Sequence, residues 1–294
     1  MNRLYVPLAL FAVLLVVYLA APWLGLERDE RIGAGKPVVE LSYVEWEGAK
    51  AATHLMKAVI QERIGYRCEV IPVSAAAMWQ SVATGDTDAM LAGWLPGTHA
   101  QYYDALRDRV EDLGPNLEGA RIGLVVPEYV TIATIGELGE HPGRFDRRVV
   151  GIDPGAGIMG KTEDALKAYD LDGFELVSSS GAAMTAELGD AVRNEQWIVV
   201  TGWTPHWKFA RYDLKFLEDP KGVYGSAEKV HTVARLDLKA DMPRIYRLLD
   251  RFQWSMEEIS TLMEANQEPG AEPYATARRW MEQHPERVDA WLGR

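Results

Sequence analysis

The stretch RRVVGIDPGAGIMGKTEDALKAY, residues 147–169, contains one complete strand–turn–helix unit. Its apolar β-branched start predicts a strand, its glycine-rich centre predicts a turn, and TEDALKAY predicts a helix. The centre also matches two phosphate-binding patterns, G-x-G-x-x-G through Gly155, Gly157 and Gly160, and G-x-x-x-x-G-K-T over residues 155–162. Such patterns are weak evidence by themselves. A helix that begins after this turn offers free N–H groups to an anion, and a carboxylate suits them as well as a phosphate does.

The alternation of strands and helices continues over most of the chain from residue 38. Apolar β-branched runs separated by helices predict parallel strands that are buried on both faces. The residues after 242 are predicted to be helical. The sequence therefore predicts an α/β fold of two lobes with a helical C-terminal tail. The predicted strands are 38–43, 68–73, 88–94, 123–127, 147–153, 174–180 and 196–203, and the predicted helices include 49–63 and 75–85.

The composition argues against several classes of function. The 294 residues carry a net charge of −12 with no basic block, which argues against a nucleic-acid partner. The single cysteine, Cys68, excludes an internal disulfide and a cysteine-rich metal site, and the six histidines show no zinc-binding spacing. We therefore expect no metal and no cofactor. An enzyme is disfavoured too, because there is no G-x-S-x-G motif and the serines at 178–180 have no evident histidine partner.

Residues 6–26 contain no charged side chain, and an apolar run of about 20 residues can span a bilayer. Arg3 on the short side favours keeping that end in the cytoplasm. A cleaved signal peptide is the alternative, although cleavage after Ala21 would put Leu19 where a small residue is preferred. Both interpretations place the rest of the chain outside the cytoplasm, in the periplasm. We assign residues 1–36 to a membrane anchor or signal segment followed by a polar linker.

Ten tryptophans are many for a chain of this length, and three of them share a position relative to a predicted strand. Trp46, Trp94 and Trp203 each follow a strand and lie close to glycine or proline. Ligands of open α/β sheets bind beyond the carboxyl ends of the strands, and indole faces attract cations such as quaternary ammonium groups. We therefore expect these three side chains to face a ligand. Core or packing roles are expected for Trp79, Trp197, Trp207, Trp254, Trp280 and Trp291, and Trp23 belongs to the apolar N-terminal segment.

Six motifs between residues 38 and 294 are similar to those of one transport family. They are YVEWEG, GWLPGTH, GLVVPEY, GIDPGAGIM, VTGWTPHWKFARYDLKFLEDP and YGSAEKVHT. With them the chain resembles the glycine-betaine-binding proteins of ABC transporters, whose two-lobed periplasmic-binding fold (type II-like) holds the ligand in the cleft between the lobes. Many relatives carry a lipid-attachment cysteine at the front, where this chain has a plain apolar segment.

The resemblance implies a role for each expected site residue. Three tryptophans match the cage around the ligand's ammonium group. A Gly-Ile pair in the glycine-rich turn matches the stretch whose backbone N–H groups hold the ligand's carboxylate, and the histidine of GWLPGTH matches one that contacts the ligand in some members. The turn is then a carboxylate site and not a nucleotide site, which agrees with an extracytoplasmic location without ATP. The six residues are Trp46, Trp94, Trp203, Gly157, Ile158 and His99.

The resemblance also implies partners and a division of the chain. A small methylated zwitterion would be passed to a membrane permease, and a cytoplasmic ATPase would supply the energy. Lobe 1 is expected to comprise residues 37–130 and 232–294 and lobe 2 residues 131–231, with crossings near 127–135 and 229–236. Choline, carnitine, proline betaine and dimethylsulfoniopropionate remain alternative ligands. A membrane-tethered sensor that uses the same cleft without transport remains an alternative function.

Overall fold

The computed structural model describes residues 38–294. The predicted membrane anchor or signal segment therefore lies outside the described residues. Within the described part, none of the helices combines the length and the apolar character that crossing a membrane requires. The strands are β1 (Val38–Tyr43), β2 (Arg67–Pro72), β3 (Ala89–Leu95), β4 (Val110–Pro127), β5 (Arg148–Val150), β6 (Glu175–Val177), β7 (Val200–Thr204), β8 (Leu214–Phe216) and β9 (Glu228–Arg235).

The helices surround two halves of a mixed sheet. The strand order is β2-β1-β3-β9-β4-β7-β5-β6, and β8 pairs with β4. We call the part built on β1, β2, β3 and β9 lobe 1, and the part built on β5 to β8 lobe 2. The helices are α1 (Glu47–Val59), α2 (Ala75–Thr84), α3 (Ala100–Leu106), α4 (Gly157–Ala168), α5 (Gly181–Arg193), α6 (Lys208–Arg211), α7 (Leu238–Asp241), α8 (Pro243–Arg251), α9 (Met256–Ala265), α10 (Pro273–Gln283) and α11 (Pro285–Leu292).

Lobe 1 begins with parallel strands joined by helices, as the sequence predicts. β1 pairs in parallel with β2 and with β3. α1 buries Leu55 and Met56 completely, which are neighbours on one face of the helix. α2 begins at Ser74, whose hydroxyl accepts a hydrogen bond from the Ala77 N–H, and it ends at Gly85, whose φ of 77° suits a glycine.

One long strand, β4, connects the two halves of the sheet. β4 pairs with β9 as far as Ala120 and with β7 from Arg121 onward, so a single strand belongs to both halves of the sheet. The prediction of parallel strands is confirmed for β1, β2 and β3 and for β5, β6 and β7, and it is wrong for β4, while β9 was not among the predicted strands. The first part of β4 contains Gly114 and Pro115, which are typical of a loop. The predicted crossing segments adjoin β4 and overlap β9, and the exact division of the chain into lobes stays a proposal.

Lobe 2 contains the strand–turn–helix unit of residues 147–169. β5 pairs in parallel with β6 and β7, and α4 follows β5 after the glycine-rich turn. β7 passes close to β4 at Gly202, where an added Cβ would lie 2.2 Å from a methyl group of Val125. Only glycine fits this approach, which brings Trp203 at the end of β7 toward lobe 1.

The C-terminal helices pack on lobe 1, which confirms the predicted helical tail. They share one buried cluster with α1, to which Leu249, Ile259 and Trp280 contribute from three different helices. The indole rings of Trp280 and Trp291 stack with centroids 5.9 Å apart. The tail therefore completes the core of lobe 1, and it also supplies part of the wall of the cleft.

Candidate functional site

An apolar cavity of about 50 Å³ lies between the two lobes. Its walls come from strand ends and from the turns that follow them, as ligand sites in α/β sheets do. All six ligand-binding residues predicted from the sequence line it, while their contacts with a ligand stay a prediction. The residues that line it include Trp46, Trp94, Trp203, Gly157, Ile158, His99, Thr98, Trp254 and Ile259.

The three expected cage tryptophans meet at this cavity from both lobes. Trp46 lies in the turn between β1 and α1, and its side chain is 9% exposed. Trp94 and Trp203 are the penultimate residues of β3 and β7, so they lie within the strand ends and not after them. Trp203 is 6% exposed, and Trp94 is half-buried. Of these three indoles, two therefore reach the cavity from lobe 1 and one reaches it from lobe 2.

The first turn of α4 carries two unpaired backbone donors. The helix begins at Gly157, and neither the Gly157 N–H nor the Ile158 N–H has a hydrogen-bond acceptor among the described residues. The first N–H groups of any helix lack an intrahelical partner. Both residues are buried, so water cannot freely satisfy these donors. Two buried donors at the positive end of a helix dipole form a site for an anion.

His99 is held in one tautomer by two donors of lobe 1. Its Nδ1 accepts hydrogen bonds from the Trp79 indole N–H at 3.3 Å and from the Trp94 backbone N–H at 3.1 Å. Burial lowers the pKa of His99 to about 3, so the imidazole is neutral and its proton resides on Nε2. Nε2 has no partner among the residues that the structure describes. It is a third donor at the wall of the cavity.

A buried carboxylate supports the loop that carries His99. Glu228, at the start of β9, is 3% exposed. It accepts hydrogen bonds from the Thr98 N–H at 2.9 and 3.1 Å and from the Thr98 hydroxyl at 2.6 Å. All of these donors belong to the turn that follows β3. The Glu228 side chain therefore joins strand β9 to the loop that carries His99.

The lobes touch each other across the cleft. The Tyr102 hydroxyl in α3 donates a hydrogen bond to the Gly155 carbonyl oxygen in lobe 2 at 2.7 Å. Gly157 lies against the backbone of Thr98, so that an added Cβ would be 1.9 Å from the Thr98 carbonyl oxygen. The glycine-rich turn is therefore packed directly on lobe 1, and the cleft is closed in this conformation.

Two residues near the cage were not predicted for the site. Trp254 precedes α9 and was expected to be core; it is buried, yet it also lines the cavity. Lys208 in α6 is completely buried behind the cage, with its Nζ 4.5 Å from the centroid of the Trp203 ring. Trp254 is distant from the motifs in sequence, and Lys208 lies within one of them, between Trp207 and Phe209, as a basic residue that would ordinarily be exposed. No sequence signal distinguishes either residue.

The wall of the cavity carries no acidic side chain, and the described residues offer no metal site. Among the described residues that line the cavity, none is aspartate or glutamate. Residues 38–294 contain no group of three or more histidine, cysteine or carboxylate side chains that could hold a metal ion. The chemistry of the site is therefore that of aromatic faces, backbone amides and one neutral imidazole.

Comparison with known proteins identifies the family of the chain. Residues 37–283 match the family model described as the substrate binding domain of the ABC-type glycine betaine transport system. The glycine betaine/carnitine transport binding protein GbuC of Listeria monocytogenes is 47% identical over 158 residues, which are 53% of this chain. That match spans about half (51%) of the relative's own length.

Two solved structures have the same fold over nearly their whole length. Lactococcal OpuAC, in a closed conformation complexed with glycine betaine, is 38% identical with a TM-score of 0.83; the match covers 87% of this chain and 100% of that one. The glycine/betaine/L-proline-binding protein ProX of Borrelia burgdorferi is 40% identical with a TM-score of 0.84, over 87% and 96% of the two chains. The chain therefore belongs to the family of substrate-binding domains of ABC-type glycine betaine transport systems.

Proposed function

We propose that this protein binds glycine betaine or a similar small methylated zwitterion outside the cytoplasm and passes it to an ABC permease. The observation that carries the proposal is one cavity whose wall combines the three cage indoles with three N–H donors that have no partner among the described residues. Trimethylammonium groups cannot form hydrogen bonds, so aromatic faces are their natural partners. A carboxylate at the other end of the ligand would use the three donors.

The cation end of the ligand would lie within the tryptophan cage (Trp46, Trp94 and Trp203). Because no carboxylate lines the cavity among the described residues, the protein supplies no formal negative charge to neutralise a cation. A ligand that carries its own carboxylate avoids this cost. The site therefore favours a zwitterion over a ligand with a net positive charge, such as choline.

The carboxylate end would accept hydrogen bonds from Gly157, Ile158 and His99. Charge-assisted hydrogen bonds to backbone N–H groups are among the stronger ones in proteins. The amides belong to lobe 2, whereas His99 belongs to lobe 1. One carboxylate would therefore join the lobes, just as the cage joins them around the ammonium group. Closure of the cleft follows from these shared contacts.

The closed form is the state that a membrane permease would recognise, and a cytoplasmic ATPase would supply the energy for transport. We propose that the substrate-binding part lies in the periplasm and that residues 1–36 hold it at the inner membrane. The alternative ligand carnitine fits the same donors because it also carries a carboxylate. Use of the cleft for sensing instead of transport would involve the same binding chemistry.

Calorimetric titration of the full-length protein with glycine betaine, carnitine, proline betaine, dimethylsulfoniopropionate and choline tests the proposal. We expect the carboxylate-bearing ligands to bind and choline to bind much more weakly. Trp203→Ala should weaken glycine betaine binding by about 1–2 kcal/mol or more, and Trp203→Phe by less. Trp197→Ala, also in lobe 2 but away from the cavity, is the control and should leave affinity unchanged. Equal binding by wild type and Trp203→Ala would exclude the cage.

A further inference from the structure

A buried ammonium group lies directly behind one wall of the tryptophan cage. Lys208 is 0% exposed, and its Nζ lies over the Trp203 ring at 4.5 Å from the ring centroid. Trp203 lines the cavity and Lys208 does not. The ammonium group therefore covers the face of the indole that is turned away from the ligand.

The surroundings of Lys208 do little to stabilise its positive charge. Within the described residues, Nζ makes one hydrogen bond, to the Thr201 carbonyl oxygen at 3.3 Å. No carboxylate of residues 38–294 lies within ion-pair distance of it. β7 contributes the Thr201 carbonyl and the Trp203 ring, α6 contributes the ring of Phe209 at 5.8 Å, and the intervening turn contributes His206. Burial lowers the pKa of Lys208 to about 7.

His206 is a neighbouring titratable side chain, and its Nδ1 accepts a hydrogen bond from the Lys208 backbone N–H at 3.1 Å. Its ring packs edge to face on Trp203 with centroids 4.9 Å apart. Burial, and next the charge of Lys208, hold the pKa of His206 well below its ordinary value. His99 on the opposite wall has a pKa of about 3 because it is buried. Both imidazoles are therefore neutral between pH 6 and pH 8.5. Of the three titratable groups His99, His206 and Lys208, it is Lys208 that changes its charge in this range.

We propose that Lys208 determines the affinity of the cage for its ligand by acting from behind Trp203, and that ligand capture releases a proton from it. The inference rests on the proposed function, since it requires a cation on the front face of the ring. Two positive charges on opposite faces of one indole are about 9 Å apart, twice the distance from Nζ to the ring centroid. At the effective dielectric constant of protein sites, such a repulsion can weaken binding by up to roughly 20-fold.

The direction of the effect follows from linkage. Below its pKa, Lys208 is charged and opposes the ligand cation; above it, the neutral amine leaves the Trp203 ring free to attract that cation. The ligand therefore binds most tightly to the neutral form and lowers the pKa of Lys208 further. Near pH 7 part of the protein must give up a proton to the buffer when it binds.

Calorimetry of the full-length protein with glycine betaine tests this inference. Wild-type affinity should fall several-fold from pH 8.5 to pH 6, and at pH 7 the binding enthalpy in phosphate and in Tris should differ by the release of roughly half a proton. Lys208→Met, which keeps the length of the side chain, should bind with the same affinity at both pH values and release no proton. Lys161→Met is the matched control and should behave as wild type.

Thermal unfolding without ligand provides a second readout. Wild type should gain stability between pH 7 and pH 10, relative to Lys208→Met, because the unfolded lysine binds a proton that the folded one has lost. If Lys208→Met does not fold, Lys208→Gln takes its place. Wild-type binding with pH-independent affinity and no proton release would overturn the inference while leaving the proposed function intact. Absence of binding at every pH would overturn the proposed function and this inference with it.

Discussion

Gly157 lies where the glycine-rich turn of lobe 2 meets the backbone of lobe 1. The resemblance assigns its N–H group to the ligand's carboxylate, and the structure gives a reason for glycine, since an added Cβ would be 1.9 Å from the Thr98 carbonyl oxygen. Its φ does not require glycine. The constraint comes from the other lobe, so it exists only when the cleft is closed.

Gly157→Ala should therefore weaken ligand binding and leave the fold intact. We expect a loss of roughly 10- to 100-fold in affinity, because a methyl group would hold the lobes apart and lengthen the amide contacts to the carboxylate. Thermal unfolding of the unliganded protein should change little. Gly160→Ala, in the same helix with no atom within 4 Å of its added Cβ, is the control. Wild-type affinity in Gly157→Ala would contradict the closed geometry.

Glu228 is the second residue whose role is visible only in three dimensions. Its carboxylate accepts all three hydrogen bonds of the Thr98 backbone and hydroxyl, and glutamine would present an N–H₂ group to those donors. Glu228→Gln should cost about 1.5–3 kcal/mol of stability in urea unfolding, and it should also lower ligand affinity by loosening the loop that carries His99. Glu118→Gln, an exposed neighbour on β4, should change neither quantity by a comparable amount.

The first turn of helix α4 offers two candidate partners for an anion, its backbone N–H groups and the side chain of Lys161. Its first two N–H groups are unpaired and buried, and Lys161 one turn later is half-buried. The phosphate-binding pattern in the sequence would assign the anion to this lysine. The backbone explanation predicts that a side-chain charge is not needed.

Lys161→Ala should therefore change the affinity for glycine betaine by well under the roughly 1.5–3 kcal/mol expected for a lost hydrogen bond to a charged group. Fluorescence titration with the same ligand measures it. ATP should show no binding in the same assay. A large loss of betaine affinity with the fold retained, or saturable ATP binding, would support the phosphate interpretation instead.

The elements differ in how much of them the sequence predicts. β1, β3, β5 and β7 are short apolar runs followed by turn residues, so their existence and the position of their ends are visible in the sequence. The site was found because ligands collect at such strand ends, and the resemblance supplied His99 and the amides. β9 and the part of β4 before residue 123 were not predicted, because these polar segments become strands only by pairing with each other. The positions of Trp254 and Lys208 near the site were not predicted, because their burial depends on contacts between distant segments of the chain.

At the scale of the whole molecule, two kinds of contact hold the cleft closed. The ligand would join the lobes from within, and Tyr102 joins them from the rim through its hydrogen bond to the Gly155 carbonyl. A contact that forms only on closure affects escape of the ligand more than its entry.

Tyr102→Phe should therefore raise the dissociation rate of the ligand by about 2- to 10-fold and leave the association rate unchanged. Stopped-flow tryptophan fluorescence resolves the two rates. Tyr103→Phe is the neighbouring control, since its ring packs on Trp79 within lobe 1. A slower association with unchanged dissociation would mean that Tyr102 guides the ligand in and does not retain it.

The strand β4 also has a consequence for protein engineering. Its 18 residues form one strand whose pairing shifts register between Asp112 and Ala120, and each lobe uses part of it. A cut at either predicted lobe boundary would leave one half of the sheet without its own strand. Chimeras that combine the lobes of two relatives should therefore be joined within β4, between Ala120 and Arg121. At this point the partner strand of β4 changes from β9 to β7.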